Sequence, residues 1–274
     1  MRKDNKSVTR IGRLFEKLKR EQRCGMIAYL TAGDPSPEAT TPYIAALERG
    51  GADLIELGVP FSDPIADGPV IQQAGDRALA AGTTVAKVLH IAAQVRKRSE
   101  IPLLLFTYLN PVLRYGFEKL AQDAKAAGID GCLLTDASVE EAGEYVKVMR
   151  EAGLDTVFLA APTSSERRLK LVAEYSSGFV YLVSRTGITG EQQTIAESAL
   201  PLIERMRKLT TLPLAMGFGI SKSDHVAALA PHVDAVVVGS AVVRQIEKDP
   251  AKLELFMRDL TGPLDPARRT VAIN

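Results

Sequence analysis

Apolar residues recur at helical spacing near the start of the chain, at Ile11, Leu14, Phe15 and Leu18, and predict an amphipathic helix over residues 8–21. Beyond it, short apolar runs alternate with helical patterns. Strands are predicted at 25–31, 53–57, 102–106, 129–134, 154–160, 179–183, 213–216 and 235–238. Helices are predicted at 37–49, 70–79, 84–98, 117–127, 139–152, 165–175, 199–208, 222–229 and 242–247, with a last one near 251–260. The strands are apolar throughout rather than alternating, as parallel strands buried on both faces are. Several helix-to-strand junctions repeat one pattern: Gly51-Ala52-Asp53, Gly128-Ile129-Asp130 and Gly153-Leu154-Asp155. Glycine suits the left-handed exit from a helix.

Eight strand–helix units predict an α/β protein of the (β/α)8 TIM-barrel type with an extra N-terminal helix. The alternative is an open doubly wound sheet, but no G-x-G-x-x-G follows the first strand. No internal boundary is visible. We expect one domain over 1–274: the helix at 8–21, the barrel over 25–250, and a C-terminal helix and tail over 251–274.

Composition narrows the function. Lys and Arg number 34 against 33 Asp and Glu, with no long basic stripe, which argues against general nucleic-acid binding. The first ten residues are polar and charged, unlike a secretory signal. The longest apolar runs, such as 101–106 and 235–243, fall far short of the roughly 20 residues that a membrane span needs. Cys24 and Cys132 each sit in an apolar run and read as small buried hydrophobes. A soluble, cytoplasmic protein is expected.

Barrel enzymes place their chemistry at the carboxyl ends of the strands. Those eight ends read T-A-G-D, E-L-G, T-Y-L-N, T-D-A-S, A-A-P-T, S-R-T, G-F-G and G-S-A. None carries a lysine, so Schiff-base aldolase chemistry lacks its nucleophile. None carries a histidine: His90 and His225 fall in predicted helices and His232 on the opposite rim, so a catalytic zinc site is not expected. Carboxylates, glycines and aromatics remain. In A-D-L-I-E-L-G-V-P-F-S-D-P-I-A-D-G-P, at 52–69, an apolar strand ends on Glu56 and a Pro/Gly-rich loop then carries Asp63 and Asp67. That arrangement points to acid–base chemistry on a small molecule. Two loops are long for the fold, roughly 58–68 and 184–198. Gly217 and Gly219 at the seventh strand end, with Gly239 and Ser240 at the eighth, would let backbone N–H groups approach a phosphate. Tyr29, Phe106, Tyr108, Tyr181 and Phe218 lie at or near strand ends and could line a flat apolar pocket.

The segment E-L-G-V-P-F-S-D-P-I-A-D-G-P-V-I-Q, at 56–72, resembles the signature of the tryptophan synthase alpha subunit family. L-T-A-G-D-P at 30–35, Y-L-N-P at 108–111, S-R-T-G-I-T-G at 184–190 and G-F-G-I-S at 217–221 follow in the family's order. The resemblance implies cleavage of indole-3-glycerol phosphate to indole and glyceraldehyde 3-phosphate, with no metal or organic cofactor in this chain. It implies that Glu56 shuttles protons, that Asp67 partners the indole N–H, and that Tyr181 lies close to Glu56 and the substrate. Gly187 and Thr189 would belong to a mobile loop, with Thr189 helping to position Asp67. Gly219, Gly239 and Ser240 would hold the phosphate, with Gly187 and Gly217 nearby, and Tyr29, Phe106, Leu133, Leu159 and Phe218 would border the indole. The partner implied is a pyridoxal-phosphate beta subunit in an αββα complex, touched by the loop at Pro60 and Asp63. Two departures stand out: Asp136-Ala137-Ser138 replaces the family's usual D-[LV]-P, and Thr135 is more polar than the residue often found there.

The residue set suits that reaction. A retro-aldol cleavage needs an electron sink, and an indole protonated at C3 supplies its own. One carboxyl group can move both protons if burial brings its pKa towards neutrality. A second, ionised carboxylate can stabilise the cation through its N–H. We expect Glu56 in the first role and Asp67 in the second. The plainer readings are a buried structural salt bridge for Glu56 and a turn cap for Asp67. Two other functions compete: a phosphate-binding barrel isomerase, and a degenerate alpha subunit that only activates a beta subunit.

Overall fold

Strands alternate with helices, apart from one strand broken in two, and every strand lies parallel to its neighbours in a computed structural model that describes residues 9–183, 192–217 and 219–264, giving the backbone alone for 192–198. The strands are β1 (Gly25–Thr31), β2 (Leu54–Gly58), β3 (Leu103–Thr107), β4 (Gly131–Leu134), β5 (Asp155–Val157), β6 (Leu159–Ala160), β7 (Val180–Val183), β8 (Leu214–Gly217) and β9 (Ala235–Val238). They pair in the order β5-β4-β3-β2-β1-β9-β8-β7-β6. The two ends of that sheet, β5 and β6, are halves of one strand broken at Phe158. Hydrogen bonding passes there from the β4 side to the β7 side: the Phe158 carbonyl accepts from Tyr181 N–H at 3.1 Å. Nine segments therefore make eight barrel strands, and the sheet closes on itself, which removes its edges.

Alternate strand residues face opposite ways. Ile27, Leu54, Leu104, Leu133, Val157, Phe179, Ala215, Ala235 and Val237 fill the barrel. Met26, Ile55, Leu57, Leu103, Leu105, Val236 and Val238 pack outward under the helices. The helix Arg10–Arg20 plugs the amino-terminal end: Ile11, Phe15 and Leu18 are buried against the barrel interior, with the Phe15 and Phe179 rings 5.7 Å apart. Phe179→Ala should cost about 3–5 kcal/mol of stability, through lost burial and the cavity left behind. Urea unfolding of the two proteins measures it.

The repeated aspartates at the helix-to-strand junctions act at this same end. Asp53 accepts from Met26 N–H at 2.8 Å and holds the Arg23 guanidinium in a fork at 2.7 and 2.8 Å. Asp130 accepts from Leu103 N–H at 3.0 Å and pairs with Arg96 at 3.0 Å and Arg10 at 3.2 Å. Asp155 accepts from Thr9, the N-cap of the first helix. Asp234, without the glycine, does the same for Leu214 N–H at 2.7 Å. Each carboxylate ties the start of one strand to a neighbouring element.

Most predicted elements form within a few residues of the expected bounds. The helix expected at 199–208 begins instead at Gln192 and runs to Leu209. Pro201 lies inside it, whereas proline ordinarily marks a first turn, and the polar residues before it carry no periodic signal. The remainder of the expected 184–198 loop lies outside the described residues. A helix at Leu109–Tyr115 was not expected, because Pro111 and the N-P pair read as a turn. The 139–152 helix starts only at Gly143. Cys24 and Cys132 are both buried, and no disulfide joins them. Among the described residues, no single helix is long and apolar enough to cross a membrane.

Candidate active site

Leu54 and Glu56 sit two residues apart on β2, so both point into the barrel. Glu56 is 0% exposed, and among the described residues neither carboxyl oxygen has a hydrogen-bond partner. The structural salt bridge finds no support there. Burial pushes the carboxyl up from an ordinary 4.5 to about 8, because a charge with no partner is costly away from water. Glu56 is thus a protonated acid at neutral pH.

Neighbouring strands surround it with rings. Tyr29 is level with Glu56 in the β1–β2 register, and the Tyr29 and Phe106 rings meet edge to face at 5.2 Å. Tyr181, on β7, is held well above the usual phenol range by burial, with Glu56 and Tyr29 close enough to add to it. Two strand-end glycines make room. A Cβ at Gly58 would strike the Tyr29 ring, and one at Gly217 the Tyr181 ring. Phe106, Leu159 and Tyr181 are half-buried above the packed barrel interior, and Leu133 is buried on β4.

The loop 59–68 carries Asp67 over this end. It is anchored where Val59 N–H donates to the Phe106 carbonyl at 2.9 Å. Farther along, the Tyr108 hydroxyl accepts from Ala66 N–H at 3.1 Å and donates to Asp67 Oδ2 at 2.9 Å. The Asp67 carbonyl accepts from Gln72 Nε2 at 2.8 Å, and Gly68 and Pro69 then start the helix Pro69–Ala80. Burial raises the Asp67 carboxyl above the ordinary aspartate range, and the Tyr108 hydrogen bond opposes that rise. Tyr108 was expected only as a pocket aromatic. Its hold on Asp67 spans 41 residues of sequence, which no local pattern announces.

On the opposite side, Gly239 caps the helix Ser240–Lys248, with no side chain bonded to the first-turn amides. Gly219, at φ +73°, turns the chain after β8. Gly239, Ser240 and Gly219 are all half-buried, whereas Gly217 is buried and serves the Tyr181 ring. Gly187, Thr189 and Phe218 lie outside the described residues. Pro60 is buried, and Asp63 is exposed beside Ser62, whose hydroxyl donates to it. At the departures, Ser138 donates to Glu140 at 2.7 Å and Thr135 to the Thr107 carbonyl at 3.2 Å, while Asp136, which keeps the family's residue, accepts from Leu109 N–H at 2.7 Å. Among the described residues, no group of three or more His, Cys, Asp or Glu side chains could hold a metal ion.

Architecture and strand-end chemistry place the chain among the (β/α)8 barrel enzymes. The sequence profile for the tryptophan synthase alpha chain matches residues 15–263. A tryptophan synthase alpha chain from Solibacter usitatus is 66% identical over 94% of this chain and 97% of its own length. One from Geotalea daltonii is 48% identical over 87% and 90%. The crystal structure of tryptophan synthase subunit alpha from Legionella pneumophila superposes with a TM-score of 0.87 at 35% identity, over 94% of this chain and 99% of that one. The chain belongs to the tryptophan synthase alpha chain family, and is a carbon–carbon lyase of tryptophan biosynthesis.

Proposed function

We propose that this chain cleaves indole-3-glycerol phosphate to indole and glyceraldehyde 3-phosphate, with Glu56 moving both protons and Asp67 carrying the charge on the ring nitrogen. The observation that supports this most is a buried, unpartnered carboxyl at a strand top, walled by Tyr29 and Tyr181. Protonated Glu56 donates to indole C3, and the ring becomes an indoleninium cation. As the bond from C3 to the side chain breaks, its electron pair returns to the ring. The proton of the adjacent hydroxyl passes to Glu56, leaving the aldehyde and restoring the acid. Asp67 accepts the ring N–H throughout and stabilises the cation. Tyr108 holds one Asp67 oxygen and leaves the other for the substrate.

The indole would lie against Tyr29, Phe106, Leu133, Leu159 and Phe218. The phosphate would sit at the start of the helix Ser240–Lys248, with Gly219, Gly239 and Gly187 around it, since first-turn amides favour an anion. Gly217 supports this end indirectly, by admitting the Tyr181 ring. Thr189 would assist Asp67. The chemistry asks for no metal or organic cofactor in this chain.

A pyridoxal-phosphate beta subunit is the proposed partner, in an αββα assembly, and the protein is proposed to be cytoplasmic and a single domain. Solved relatives include tryptophan synthase from M. tuberculosis, TM-score 0.87 at 33% identity. Asp63 and Ile65, the latter 84% exposed, would face the partner, with Pro60 shaping the loop beneath them. Incubation of the purified chain with indole-3-glycerol phosphate, alone and with a beta subunit, should yield indole and glyceraldehyde 3-phosphate in equal amounts. If neither condition gives products while beta-subunit turnover rises, the chain is an activator rather than a lyase.

A further inference from the structure

Asp34 lies in the loop after β1, only 5% exposed, and the guanidinium of Arg77 grips it in a fork at 2.7 and 2.8 Å. Arg77 belongs to the last turn of the helix Pro69–Ala80, whose first turn follows Asp67. Its remaining terminal nitrogen reaches Glu247 at 3.1 Å, near the far end of the helix Ser240–Lys248. These two helices also pack together through Ala74 and Val243, in one buried cluster with Tyr29 of β1. Two helices whose N-terminal ends face the candidate site are thus joined through one side chain, and both are referred to the same buried carboxylate on β1's loop.

We infer that Arg77 is a positioning residue, fixing the spacing between the aspartate that receives the ring nitrogen and the helix start that receives the phosphate. This rests on the assignment of Asp67 and Ser240 to opposite ends of one ligand. A planar fork sets direction as well as distance, which a lysine point charge does not. The consequence concerns ligands that touch both ends. One that occupies a single end is indifferent to the spacing. One that spans both gains from having its two contacts pre-set, and loses that gain when they drift apart.

The test uses Arg77→Lys and Glu247→Gln in the full chain, with three probes: indole, glycerol 3-phosphate, and an unreactive analogue in which a propyl chain joins indole to phosphate. Calorimetry should show the spanning analogue weakened about tenfold in Arg77→Lys, with each single-end probe within about twofold of the parent. Glu247→Gln, at an exposed pair, should weaken the analogue alone, by about threefold. It decides the matter should Arg77→Lys not fold. An unchanged analogue affinity, or an equal weakening of all three probes, overturns the inference; the second outcome marks Arg77 as merely structural. Should the parent itself fail to bind the analogue, the functional reading falls along with this one. Normal parent binding with unaffected variants removes the Arg77 role alone.

Discussion

Glu56→Gln should lower kcat for indole release by about 10²-fold or more, the range expected when a general acid–base group is removed. The amide keeps the shape of the side chain but can neither give up a proton nor take one. The parent's kcat/KM should fall as pH rises through about 8, because the acid form begins the reaction and burial places its pKa there. On the acid side, activity should fall as Asp67 protonates, at a pH above the ordinary aspartate range. Stability gives an independent check. Unfolded Glu56 ionises near 4.5, whereas folded Glu56 holds its proton to about 8. Over that window the folded state binds more protons, so parent stability falls as pH rises, by about 1.4 kcal/mol per unit from this group. Above about 8 both states are ionised and the loss is complete. Glu56→Gln should lack this slope and be the more stable protein at pH 8, while being nearly inactive. Near-parental turnover by this variant would sink the assignment, and an unchanged pH–stability slope would show that the carboxyl is ionised in the folded protein.

Asp67→Asn should lower kcat by about 10²–10³-fold, as removal of a charge-stabilising group does. Affinity for an unreactive indole phosphate should change little. The distinction follows from timing: the ring nitrogen is neutral in the bound substrate and cationic only after C3 is protonated, so the full carboxylate charge acts late. The asparagine NH2 can donate to the Tyr108 oxygen and leave the amide oxygen to accept the ring N–H, so the loop should stay anchored and the analogue's contact is kept. The acid limb of the rate profile should disappear as well. Should the variant's loss lie wholly in analogue affinity, with kcat intact, Asp67 positions substrate and carries no charge in the reaction.

Much of the fold was legible in the sequence. Continuous apolar runs between helical patterns announced parallel strands, and eight such units announced a barrel. Glu56 stood out as a carboxyl ending an apolar strand, and Asp67 as one on the Pro/Gly-rich loop above it, in a segment that matches a family signature. The repeated junction aspartates were visible as a pattern, but their task was not. That Asp53 reaches back to the amide of Met26, or Asp130 to that of Leu103, depends on pairing between strands. Even the one-strand reading of 154–160 hid the place where the barrel's hydrogen bonding changes sides.

Periodicity and residue type are local properties, and they decided what could be decided locally: which segments bury themselves, where they turn, and which side chains bring acid, ring or glycine to a strand end. The chain's three-dimensional course decided the rest. Glu56 has no partner because the fold offers it none among the described residues, and that isolation holds its proton. Tyr108 meets Asp67, and Arg77 meets Asp34 and Glu247, across long separations in sequence. Burial and cross-chain contact set a carboxyl's proton affinity and a loop's position, and neither exists until the barrel closes.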